Sequence, residues 1–150
     1  MAYAEKWAFS RNPQYYDFEN IGGDCTNFAS QCMYAGSRIM NFRPVYGWYY
    51  LSLNNRSPSW TGVQYFFNFL TENTGIGPFG NEAQPEELLP GDFVQLFRGG
   101  VFTHTLIVTS TAGGEIAIAA HTLDSFNRPL KTYDAQGMRF IHIDGVRKPG

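Results

Sequence analysis

Gly22-Gly23-Asp24-Cys25-Thr26-Asn27-Phe28-Ala29-Ser30-Gln31-Cys32 is the stretch on which the reading of the chain turns. Two glycines lead into Asp24, a residue type favoured at a helix N-cap, and Cys25 follows at the first helical position. Phe28, Ala29 and Cys32 recur three, four and seven residues after Cys25, which marks one face of a helix. Gly36 is placed to end it, because glycine accepts the left-handed conformation at C′. A thiol at a helix N-terminus feels the positive end of the dipole and several unpaired backbone N–H groups. Both favour the thiolate, which is the reactive form. The pattern predicts a cysteine nucleophile at Cys25. Cys32 reads as a small buried hydrophobe. The two do not pair: seven helical residues rise roughly 10 Å, and bridged Cα atoms lie within about 7 Å.

A length of 150 residues is one ordinary domain with room for a single core. Eleven Lys plus Arg against thirteen Asp plus Glu give a net charge of −2. No basic run stands out, which argues against nucleic acid as a partner. No apolar run reaches membrane-spanning length, and residues 1–6 do not form a signal peptide. Thirteen Phe, nine Tyr and three Trp exceed what a core needs, and Tyr and Trp also line grooves that hold glycan or peptide. Charged residues are only 16% of the chain, a balance that suits secreted or surface proteins. The abrupt start and end suggest a domain of a longer protein whose export signal lies elsewhere.

The chain begins in helix-like sequence, Tyr3 to Phe9, broken by Ser10-Arg11-Asn12-Pro13. A polar and aromatic loop, Tyr15 to Gly23, delivers it to the Cys25 helix. Tyr46 to Tyr50 is a short strand candidate. Ser57 or Ser59 can cap a second helix whose buried stripe is Trp60, Val63, Phe66, Phe67 and Leu70. Gly75 to Leu89 is predicted to be a long surface connection. From there the period changes to two, with strands over 92–97, 103–109, 115–121 and 138–143. Helices first and an antiparallel meander afterwards predict an α+β domain.

His104 opens the strand 103–109 and His121 closes the strand 115–121. If these pair as a hairpin through Ala112-Gly113-Gly114, both histidines lie at its open end, close enough to be neighbours. A cysteine hydrolase needs such a set: a thiolate that attacks a carbonyl, an imidazole that moves protons, and a polar group that orients the imidazole. Cys25 is then the nucleophile, His104 the general base and acid, and His121 the orienting group. The backbone N–H of Cys25 and the side chain of Asn20 could form an oxyanion hole. His142 reads as an edge histidine. Cys25, His104 and His121 lack the close-spaced pairs of a structural zinc site, and Asp17-Phe18-Glu19-Asn20 lacks a full calcium ligand set. No metal or other cofactor is expected.

The stretch Asp24 to Cys32 resembles the putative amidase domain family, a branch of the papain-like cell-wall hydrolases related to CHAP and NlpC-type domains. Leu89-Pro90-Gly91-Asp92, Thr103 to Val108, and His121-Thr122 followed by Asn127-Arg128-Pro129-Leu130 carry the same resemblance. It implies a papain-like fold, a Cys25–His104 dyad, and hydrolysis of an amide in bacterial peptidoglycan by an autolysin, sporulation enzyme or phage lysin. The bond would be the glycan–peptide link or one within the stem peptide. The third catalytic position varies across these hydrolases, so Asp124 and Asn127 stand beside His121 as alternatives. A monomer, secreted or associated with the cell wall, is expected. Two other readings compete. One is a non-catalytic wall-binding module with Trp48 and Trp60 as its glycan platform; the other is a papain-like protease or effector acting on a protein.

Overall fold

The computed structural model describes residues 1–150. Four helices precede most of the sheet: α1 (Ala2–Trp7), α2 (Cys25–Ser37), α3 (Pro58–Thr61) and α4 (Val63–Glu72). A two-stranded ribbon, β1 (Tyr50–Ser52) and β2 (Asn55–Arg56), separates α2 from α3. The main sheet contains β3 (Gly77–Ala83), β4 (Phe93–Arg98), β5 (Val101–Ser110), β6 (Ala117–Ala120), β7 (Ser125–Pro129) and β8 (Gly137–Arg147). Its order is β3-β8-β4-β5-β6-β7, and every pairing is antiparallel. The α+β expectation holds, with the helices packed on one face of the sheet.

Side-chain alternation divides the core in two. Phe93, Ile107, Ala119 and Ile141 face the helices and join Phe28, Ala29, Trp48, Trp60, Phe66 and Leu70. Val94, Leu96, Leu106, Val108, Ile118 and Ala120 face the other way, under Leu88 and Leu130.

Most of α2 lies in the interior, so its polar residues must find partners there. Thr26 bonds Thr105, Asn27 accepts from the Trp60 indole, Ser30 accepts from the Trp48 indole, and Gln31 accepts from Tyr3. These bonds fix how α2 sits against its neighbours, and so fix where Cys25 comes to rest.

Several sequence expectations shift. Gly36 lies inside α2, and the left-handed residue at its end is Arg38 (φ 60°). The predicted second helix is split into α3 and α4 at Gly62, whose backbone is extended. Residues 46–50 contribute only an isolated bridge, Asn41 with Trp48, before β1. The supposed surface connection contains edge strand β3. Its Gly77-Pro78-Phe79-Gly80 start carries no alternation, a common disguise at sheet edges. Strand β7 lies likewise within the stretch read as irregular between 121 and 138.

Candidate active site

Cys25 takes the first position of α2 and is 7% exposed. Asp24 precedes it at the N-cap position, but its carboxylate does not cap the helix. One oxygen accepts from the Phe18 N–H (2.9 Å) and the Asn27 amide (2.8 Å), and the other meets His121 Nδ1 at 2.5 Å. The first N–H groups of α2 are thus left without the expected side-chain cap, next to the cysteine sulfur.

The sulfur meets Thr26 Oγ1 at 3.8 Å, and the backbone of Thr105 comes near it. The reason is the length of β6. Pairing between β5 and β6 runs from Ser110↔Ala117 to Ile107↔Ala119. Thr105 lies beyond that ladder, so its N–H is free to face the start of α2.

Burial pushes the Cys25 thiol up from its ordinary value, and the nearby Asp24 charge adds to this. The hydrogen bonds from Thr105 and Thr26 oppose the rise without reversing it. Desolvation thus works against the thiolate that the helix start alone would favour.

His104 is one residue from Thr105 and 6% exposed. It pairs with Leu96 across β4, on the face away from α2, with its ring edge-on to Tyr133 at 6.2 Å. Burial, then the charges of Arg98 and Arg128, hold the imidazole down at about 4. No hydrogen bond joins the Cys25 sulfur to His104, whose ring lies on the other face of the sheet.

His121 is 1% exposed and stacks on Phe28 at 3.9 Å. Its Nδ1 faces Asp24, and its Nε2 faces the Trp7 carbonyl at 2.8 Å. Both ring nitrogens are occupied, so neither can orient His104. Alternation explains the difference. Continuing the ladder from Ile107↔Ala119 brings Thr105, not His104, level with His121, and the two histidines point to opposite faces.

The other site expectations also find definite places. Asp124 takes both terminal nitrogens of Arg11 at 3.0 Å each. Burial works to raise its pKa, but the bonds and charge of Arg11 hold it below the ordinary carboxylate value. Asn127 accepts from Thr109 at 2.7 Å. Asn20 is exposed in the turn before α2. Trp48 and Trp60 are both 0% exposed and 4.7 Å apart, and their indole N–H groups are spent on Ser30 and Asn27. They cannot serve as a glycan platform; they are core.

Arg11 was not singled out in the sequence, yet it gathers Asp17, Glu19, Asp24 and Asp124 around its guanidinium. Glu19 in turn accepts from Thr122, whose hydroxyl also accepts from the Asp24 N–H. This network ties the loop before Cys25 to the chain after β6. Only a long-range ion pair assembles it, so no local motif could disclose it. A recess of about 420 Å³ opens beside His104, while a larger cleft of about 560 Å³ lies between α4 and residues 41–47 and includes none of these groups.

Comparison with known proteins gives a consistent picture. The sequence profile of the family described as "Putative amidase domain" matches residues 1–143. The chain is 35% identical over 127 residues to uncharacterized protein YhbB of Bacillus subtilis (strain 168), covering 82% of this chain and 40% of that protein. It is 25% identical over 152 residues to uncharacterized protein YjcM of the same organism, covering 94% of this chain and 34% of the relative. The chain thus spans well under half the length of either relative. No solved structure matches it significantly. With nearly its whole length matched, the chain belongs to the putative amidase domain family.

Proposed function

We propose that this amidase-type domain is a cysteine-dependent amide hydrolase of bacterial peptidoglycan, with a papain-like arrangement of Cys25 and His104. The observation that carries this is the position of the thiol. It sits at a helix start without a side-chain cap, beside the stretch of β5 that carries Thr105 and the buried, uncharged His104.

The thiol and imidazole are both neutral at rest. His104 faces away from α2, so to accept the thiol proton as the sulfur attacks the amide carbonyl its ring must turn toward Cys25. The N–H of Cys25 and its neighbours in the first turn of α2 stabilise the oxyanion. When the tetrahedral intermediate collapses, the C–N bond breaks and His104 returns the proton to the leaving amine. Water, deprotonated by His104, then cleaves the thioester, releasing a carboxylic acid and restoring the thiol. Asp24 and His121 hold the loop and helix start in place. Asp124 is locked on Arg11, and no third group on His104 is assigned.

Peptidoglycan as substrate, and a secreted or wall-associated monomer as the working form, follow from the family resemblance and the low charge density. The wall-binding alternative loses its support with both tryptophans buried. Incubating the protein with purified muropeptides and weighing the products tests the proposal. One fragment should gain the mass of water across a single amide bond, and the Cys25→Ala protein should leave the muropeptides intact. Unchanged muropeptides beside a cleaved protein substrate would favour the protease reading.

A further inference from the structure

The recess beside His104 carries a charge that the hydrolytic chemistry does not need. Arg98, Thr103, Thr122, Arg128 and Tyr133 line it together with the histidine. The molecule's salt bridges involve neither Arg98 nor Arg128. In a chain of net charge −2, two guanidinium groups without a carboxylate partner share one small concavity.

Both are held in position. Arg128 lies flat on the Tyr133 ring, 3.7 Å from its centroid, and donates to the hydroxyl and carbonyl of Thr132. Arg98 donates through Nε to the Asp134 carbonyl at 2.8 Å. These bonds use Nε of each arginine and one terminal nitrogen of Arg128. Terminal N–H groups remain on both for a ligand, already ordered, so less side-chain entropy is lost on binding. Asp134 also borders the recess, but it holds Arg98 by its backbone oxygen.

We propose that Arg98 and Arg128 form a carboxylate-binding subsite that selects substrates carrying a free carboxylate, an acidic stem peptide. This rests on the hydrolase reading above and adds to it the identity of the group recognised. A planar carboxylate can take parallel N–H bonds from an arginine, which a neutral carboxamide cannot match in strength or charge. The bound anion also offsets the two charges that disfavour protonation of His104, so the imidazole becomes a better base once the right substrate is seated.

The test uses the full chain and measures binding without turnover, with N-acetyl-alanyl-glutamate and its fully amidated counterpart as probes. Nuclear magnetic resonance titration of the His104 imidazole reports both affinity and titration midpoint. The acid should bind about tenfold or more tightly than the amide, a difference of about 1.4 kcal/mol, and should raise the midpoint of His104. Arg98→Gln and Arg128→Gln should each erase most of that preference, whereas Arg128→Lys should keep part of it, and thermal melts should show all three folded. Equal binding of acid and amide, or a preference unmoved by either glutamine variant, overturns the subsite. If muropeptides are cleaved while acid and amide bind equally, the subsite falls and the hydrolase reading stands. If the acid is preferred and no amide is ever cleaved, the opposite holds.

Discussion

At the scale of single residues, the buried polar groups around α2 divide into those that hold the fold and those available for chemistry. Asp24 and His121 belong to the first set, since each is fully buried and satisfied by the other and by neighbouring backbone. Removing one partner leaves the other buried without its bond, a loss of about 3–5 kcal/mol. Asp24→Ala should show that loss in urea unfolding, while Cys25→Ala should cost about 1 kcal/mol or less and still abolish hydrolysis. Burial raises the thiol pKa, so alkylation of Cys25 by iodoacetamide should be slow at neutral pH and climb only above the free-thiol value of about 8.5. A fast, pH-independent reaction between pH 5 and 7 would instead indicate a thiolate ion pair. The start of α2 at Asp24-Cys25 was legible because a helix start has a local signature. The partner of His121 was not, because Asp24 and His121 are separated by 97 residues.

At the scale of elements, edge strand β3 and its partner β8 show what a sequence pattern leaves out. Their register shifts between Phe79 and Gly80, and a Cβ on Gly80 would stand 2.2 Å from the His142 carbonyl oxygen. Gly80→Ala should therefore loosen this edge, costing about 1–3 kcal/mol, with faster amide exchange confined to β3 and β8. Strand β8 also carries a pH-dependent tie to the residue before β4. His142 Nδ1 lies 2.8 Å from Asp92, whose other oxygen accepts the Ile143 N–H. The hydrogen bond to Asp92 raises the His142 pKa above the unfolded value, with burial opposing and the Asp92 and Asp144 charges adding. A raised histidine stabilises the fold fully below its unfolded pKa of about 6.5, and the contribution fades as pH rises through the folded value. His142→Gln should thus lower stability at pH 5.5 and leave it nearly unchanged at pH 9, read from thermal melts at both. Glycine, proline and the non-local tie hide this edge from periodicity, whereas β4, β5 and β8 declare themselves through alternating apolar residues.

At the scale of the whole molecule, the design is a buried helix laid on an antiparallel sheet, with the tryptophans as its mortar. Trp48 and Trp60 touch each other and hydrogen bond to α2, so they set the distance between the helix and the ribbon of β1 and β2. Trp48→Ala should cost about 3–5 kcal/mol. If Cys25 attacks an amide, hydrolysis passes through a thioester on its sulfur. Acid-quenching the protein during turnover of a muropeptide, then weighing the intact chain and its fragments, tests it most directly. An acyl adduct is expected on the fragment containing Cys25, absent from the Cys25→Ala protein. Product formation with Cys25 unmodified, and undiminished in Cys25→Ala, would contradict it.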